Sequence, residues 1–242
     1  MGALAAGGAA LLLAEDDGVG AAPMVATADR LTYDVAPFEE ISTVGPQDVR
    51  VTRGETQSVH SEGPPEILGQ LEVVVENGML TIQPKEAFRG GFDWGRFRSA
   101  AFYVTVPRLE SVSLAGSGDV RVDRIDGERF SGSVAGPGEL SIAALQVDEA
   151  DFSIAGSGNL VAAGTARETR ISIAGSGEVR AGALTSKTAS VTIGGSGDAA
   201  LTVDDDARVR IMGSGDVDIA GTARCSVSRM GSGNVHCGEN TE

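Results

Sequence analysis

The chain has 242 residues, with 34 acidic against 19 basic side chains and a formal charge of -15. A field of that sign repels phosphate backbones and excludes nucleic acid as a partner. The 34 glycines follow no three-residue period, which excludes collagen, and two cysteines with two distant histidines leave no zinc set, redox C-x-x-C pair or catalytic triad.

Residues 1–14, MGALAAGGAALLLA, form an apolar run too short to span a bilayer. The run resembles the apolar region of a secretory signal, and GVGAAP at 18–23 offers small residues for cleavage near Ala21 or Ala22. The basic flank of a signal is missing: Arg30 is the first cation, and Glu15, Asp16 and Asp17 follow the run. Residues 1–29 therefore read either as a signal-like segment or as a disordered, alanine-rich tail. Residues 30–110 read as N-terminal β coils, with strand signals in FEEISTVG (38–45), DVRVTRG (48–54), LEVVVENGMLTIQP (71–84) and AAFYVTVP (100–107). Asn77-Gly78 alone signals a hairpin; within a stack of coils it marks a corner instead. Residues 85–99, with Trp94 among basic and aromatic neighbours, read as a protruding loop or a cover for the apolar interior.

From 111 to 242 one signal dominates. A G-x-G set recurs at Gly116 and Gly118, Gly136 and Gly138, Gly156 and Gly158, Gly175 and Gly177, Gly195 and Gly197, Gly213 and Gly215, and Gly231 and Gly233. The first glycines are 20, 20, 19, 20, 18 and 18 residues apart. Apolar residues alternate on both flanks, as in Ile171 and Ile173 before the fourth set and Val179 and Ala181 after it. Period-two alternation is the pattern of a strand with one buried face. A unit of about 19 residues cannot bury that face alone, but stacked neighbours can. The expected fold is an all-β, right-handed parallel β-helix in which glycines turn the chain between strands and a looser return closes each coil. A dinucleotide fingerprint is excluded, because that motif opens a helix and occurs once per nucleotide half.

Two columns depart from the pattern: Gly132 stands where other coils carry an apolar residue, and Arg229 occupies an otherwise aliphatic column. Asp119, Glu139, Asn159, Glu178, Asp198, Asp216 and Asn234 each follow a turn, so they form a ladder if they project to one side. Calcium is a lesser candidate for relieving its repulsion. Cys225 and Cys237 share the parity of inward residues in the last coil, so they form either a disulfide or two buried thiols.

The opening FEEISTVGPQDVRVTRG, the segments LEVVVENGMLTIQP and YVTVPRLESVSLAGSGDVRV, and the AGSG(D/N/E) series together resemble the auto-transporter adhesin head GIN domain family over about residues 30–238. That resemblance implies an exported β-helical protein of the bacterial periplasm or outer surface, with no catalytic residue, cofactor or metal to carry over. A structural or adhesive envelope module is the leading expectation. A periplasmic module for a glycan or an envelope protein is the alternative, and a polysaccharide-active enzyme follows distantly on fold analogy alone.

Overall fold

The computed structural model describes residues 24–27, 30–85 and 100–238. The signal-like run, the cleavage region and the Trp94 cluster lie outside the described residues. Apart from the short helix α1 (Pro65–Leu68), regular structure here is strand, and the strands join in one hydrogen-bonded β-solenoid with stacked parallel coils.

The regular part contains β9 (Ser111–Ala115), β10 (Asp119–Val122), β11 (Ile125–Ala135), β12 (Glu139–Gly156), β13 (Asn159–Gly175), β14 (Glu178–Gly195) and β15 (Asp198–Gly213). Each pairs in parallel with the equivalent segment of the next coil, so like positions stack: Leu140 on Leu160, Leu160 on Val179, Val179 on Ala199. All four are buried. Removing a Val or Leu side chain from water contributes about 1.5–3 kcal/mol, and the stack repeats that gain in every coil.

The return is more regular than the sequence implies. In β12 the inward residues are Leu140 and Ile142, then Leu145 and Val147, then Ala150, Phe152 and Ile154. Inward parity shifts twice, once with an irregularity in pairing between Ile142 and Leu145, so each coil has three sides rather than two strands and a loop. The third side is lined partly by small or polar residues, including Ala166, Ser186 and Val203. Its buried Ser186 hydroxyl is satisfied by Thr169 at 2.7 Å. Gly132 also finds its reason in packing. Phe130 stacks on Ala150, and Gly132 lies against Phe152; a Cβ on Gly132 meets Leu140 at 3.0 Å and Phe152 at 3.2 Å. Large and small residues exchange places between adjacent coils at constant volume.

The N-terminal part departs from a simple series of coils. β3 (Glu40–Val44) and β4 (Asp48–Arg53) lie between two layers that follow them in sequence. On one side β3 pairs with β7 (Met79–Pro84) and β4 with β8 (Ala101–Val106). On the other side β3 pairs with β9 and β4 with β10. Antiparallel strands close the far end: β1 (Met24–Thr27) on β2 (Arg30–Tyr33), β2 on β5 (Ser58–Glu62), β5 on β8, and β6 (Leu71–Glu76) on β7. Asn77-Gly78 forms the β6–β7 hairpin, with φ of 51 and 81, not a corner between coils. Positive φ at both positions matches the right-handed twist of the flanking strands.

The C-terminal end comprises β16 (Val217–Ala220), β17 (Arg224–Gly231) and β18 (Val235–Cys237), with β18 stacked on β16. Val217 and Ile219 of β16 are buried, but the inward face of β17 is less covered: Val227 is 46% exposed. Arg229 folds back so that its guanidinium donates to Gly233 O at 3.2 Å, satisfying a carbonyl of its own turn.

Candidate functional site

The seven glycine pairs stack into two columns at one corner of the solenoid. Gly175 and Gly177 show the two reasons for glycine. Gly175 has φ 131, a region open only to glycine. Gly177 has ordinary φ, but a Cβ on it lies 2.5 Å from both Gly158 O and Ile154 Cγ2. The recurring corner bond runs from the serine backbone N–H to the first glycine of the preceding coil, as in Ser176 N to Gly156 O and Ser196 N to Gly175 O, both 2.9 Å. Both glycines are thus fixed by the backbone geometry of the corner.

One corner lacks the G-x-G signature. Gly45-Pro46-Gln47 stacks beneath Gly116 and Gly118, and Gly45 has φ 129. Gln47 is buried and donates through Nε2 to Thr43 Oγ1 (3.0 Å), Val44 O (3.0 Å) and Ile82 O (3.3 Å). The likeness of VGPQD (44–48) to AGPGE (135–139), followed by inward Val49 and Val51, was the available signal.

The post-turn acids do form a row, since Asp119 stacks on Glu139, Asn159 on Glu178 and Glu178 on Asp198. Much of its chemistry is spent inside the scaffold. Asp198 Oδ1 accepts from Asp216 N at 2.8 Å, and Asp216 Oδ1 accepts from Asn234 N at 2.7 Å. Arg180 bridges Glu139 (3.0 Å) and Glu178 (3.3 Å), and its guanidinium charge cancels part of the repulsion. Among the described residues no group of three His, Cys, Asp or Glu side chains converges to hold a metal ion.

A cleft of about 590 Å³ lies elsewhere, at the corner where the third side meets the pre-turn side. Arg108, Glu110, Glu128, Arg129, Asp148, Glu149 and Arg167 line it. Gly127 stacks over Val147 with open space where a Cβ would project, which deepens the floor. Glu149 sits directly opposite Glu168, an unfavourable juxtaposition. Arg129 answers it with two bonds to Glu149, from Nε at 3.2 Å and an Nη at 2.7 Å. Arg170 reaches Glu168 at 2.6 Å, Asp151 at 3.3 Å and Glu149 at 3.5 Å. The hydrogen bond and charge of Arg129, with a smaller contribution from Arg170, hold the Glu149 carboxyl below the usual carboxylate range. The cleft therefore presents fixed donors and acceptors of both signs. Sequence reasoning missed it, because its residues come from four separate coils.

The pre-turn side bears columns of small residues. Ser113, Ser133, Ser153, Ser172 and Thr192 stack in one, and Ala115, Ala135, Ala155, Ala174 and Gly194 in the next. In the last coil the sulfurs of Cys225 and Cys237 are in contact, with Cα atoms 6.5 Å apart, inside the range a disulfide spans.

Stacked parallel coils with polar ladders outside define the class: a β-solenoid. The chain belongs to the family described as "Putative auto-transporter adhesin, head GIN domain", whose model matches residues 37–223. It is therefore an exported, non-enzymatic module of the bacterial envelope, adhesin-like or structural in role. Three crystal structures share its fold. A putative adhesin from Bacteroides fragilis superposes with a TM-score of 0.80 at 21% identity, over 86% of this chain and 95% of that one. A putative lipid binding protein from Parabacteroides distasonis gives 0.68 at 22%, over 86% and 95%. A putative adhesin from Parabacteroides merdae gives 0.68 at 19%, over 86% and 94%. No curated protein matches the chain. No helix among the described residues is long and apolar enough to cross a membrane.

Proposed function

We propose that the chain is a rigid right-handed solenoid that adheres by offering the Arg129–Glu149 cleft to a surface glycan. The carrying observation is the cleft itself: about 590 Å³, open, and lined by charged groups already held in place by one another. Sugar hydroxyls both donate and accept, and paired guanidinium and carboxylate groups meet both needs without reorganisation. Right-handedness is supported by the strong preference of parallel crossovers for that hand. The tight G-x-G corner and a Cys225–Cys237 disulfide keep the coils in register, in keeping with export into an oxidising compartment.

The test is a glycan panel screened with the purified chain and with Arg129→Ala/Glu149→Ala. Saturable binding to a defined sugar by the parent and its loss in the variant is the expected result. The pair lies at the surface, so the variant should keep the parent's melting temperature. No sugar bound, or equal binding by both proteins, refutes the reading. Capture of one envelope protein in place of a sugar, with the same sensitivity to the variant, moves the cleft to a protein partner.

A further inference from the structure

The pre-turn side changes character toward the C-terminal end. Where five coils place Ser or Thr, β15 carries Arg210; where they place Ala or Gly, β15 carries Met212 and β17 carries Met230. The five earlier coils show that this flat sheet needs only a small side chain at those positions. Arg210, Met212 and Met230 therefore answer to something other than the scaffold. Arg208 projects to the same side, since exposed residues alternate with buried ones along β15.

Neither Arg208 nor Arg210 has an ion pair among the described residues. Across the sheet they face Ser190 and Thr192 on one strand and Ser226 and Ser228 on the other. Asp206, two residues before Arg208, is engaged by Arg224 at 3.3 Å. Met212 is 59% exposed and Met230 75%; apart from Val227, these are the exposed large hydrophobics of the described residues. A chain of charge -15 thus gathers two unpaired guanidiniums and two bare thioethers on one flat patch.

We propose that this patch docks the rod on a lipid surface rich in anionic headgroups, with Arg208 and Arg210 on phosphate oxygens and Met212 and Met230 against the acyl boundary. A planar guanidinium fork matches phosphate geometry. Methionine is unbranched and flexible, suited to an irregular apolar partner. The overall negative charge does not forbid the contact, because fields decay over about 8 Å at physiological salt and the acid row lies on another side of the coil. A lipid surface answers both halves of the patch at once, headgroup phosphate for the arginines and acyl chain for the methionines, whereas a second copy brings its own -15. The inference goes beyond the glycan reading, and its residues are separate from the cleft.

The test is co-sedimentation of the full chain with vesicles of phosphatidylcholine alone or mixed with phosphatidylglycerol, in EDTA to remove calcium bridging. Binding to the anionic vesicles should exceed neutral binding by more than about tenfold. Arg208→Gln/Arg210→Gln should weaken it roughly 25-fold, at about fivefold per arginine near such a surface. Met212→Ser/Met230→Ser should weaken it as well, while Arg121→Gln/Arg180→Gln, on another side, should not. Equal binding to both vesicle types, or full anionic binding by the Arg208/Arg210 variant, overturns the proposal. So does self-association in sedimentation velocity that the same variant abolishes, which would assign the patch to a second copy.

Discussion

Replacing Gly175 with alanine tests the corner directly. The substitution adds a Cβ at φ 131, where strain costs about 1–3 kcal/mol. The new carbon also runs into Gly156 O, the acceptor for Ser176 N at 2.9 Å, so that corner bond is displaced and about 0.5–1.5 kcal/mol goes with it. The sum is about 1.5–4.5 kcal/mol. For a chain of this size each kcal/mol moves the melting temperature about 2–4 °C, giving a fall of roughly 3–18 °C by circular dichroism. Gly182→Ala is the matched control: it lies in the next strand, β14, with nothing within 4 Å of its Cβ position, and it should stay within about 0.5 kcal/mol of the parent. Two indistinguishable melting curves would refute the claim that the corners require glycine.

Two further outcomes follow from the ends of the solenoid. Alkylation of the unreduced, unfolded chain should label neither Cys225 nor Cys237, and Cys225→Ser/Cys237→Ser should destabilise the last coil by up to about 3 kcal/mol in the chain-entropy account; two labelled thiols per chain defeat the bond. Tyr33 is buried and bonded to Ser61 at 2.9 Å, and burial raises its pKa above the ordinary value against the opposing effect of that bond. A raised folded pKa stabilises fully below the unfolded value of about 10 and is lost as pH climbs past it. Urea midpoints should therefore fall more steeply above about pH 10 in the parent than in Tyr33→Phe; parallel slopes contradict this assignment.

The two sides flanking the corner were legible because their inward residues alternate strictly, as at Ile171, Ile173, Val179 and Ala181. The third side was not. Parity shifts between Ile142 and Leu145, and small or hydroxylated inward residues such as Ala166 and Ser186 do not stand out from an exposed segment. The Gly45-Pro46-Gln47 corner was hidden because a glutamine, its amide bonded to Thr43, Val44 and Ile82, stands where the later corners carry a second glycine. The N-terminal layer order was hidden for another reason. Pairing of β4 with both β8 and β10 joins residues far apart in sequence, and local pattern carries no record of it. The cleft and the Arg208–Met230 patch exist only once coils are in register. Each residue alone is an ordinary exposed side chain.

The interleaved β3–β4 layer constrains the order in which the protein can be built. A chain delivered from its N-terminus presents residues 40–53 first, yet both faces they pair with belong to residues 79–106 and 111–122. That layer cannot complete its hydrogen bonds until the segment through Val122 has arrived. Everything after it adds to an edge that already exists, one coil at a time. Closing the base carries the long loop-closure cost, and extension carries little. The base thus acts as a timed nucleus, and the remainder of the rod is templated growth whose length can vary by whole coils without disturbing the start.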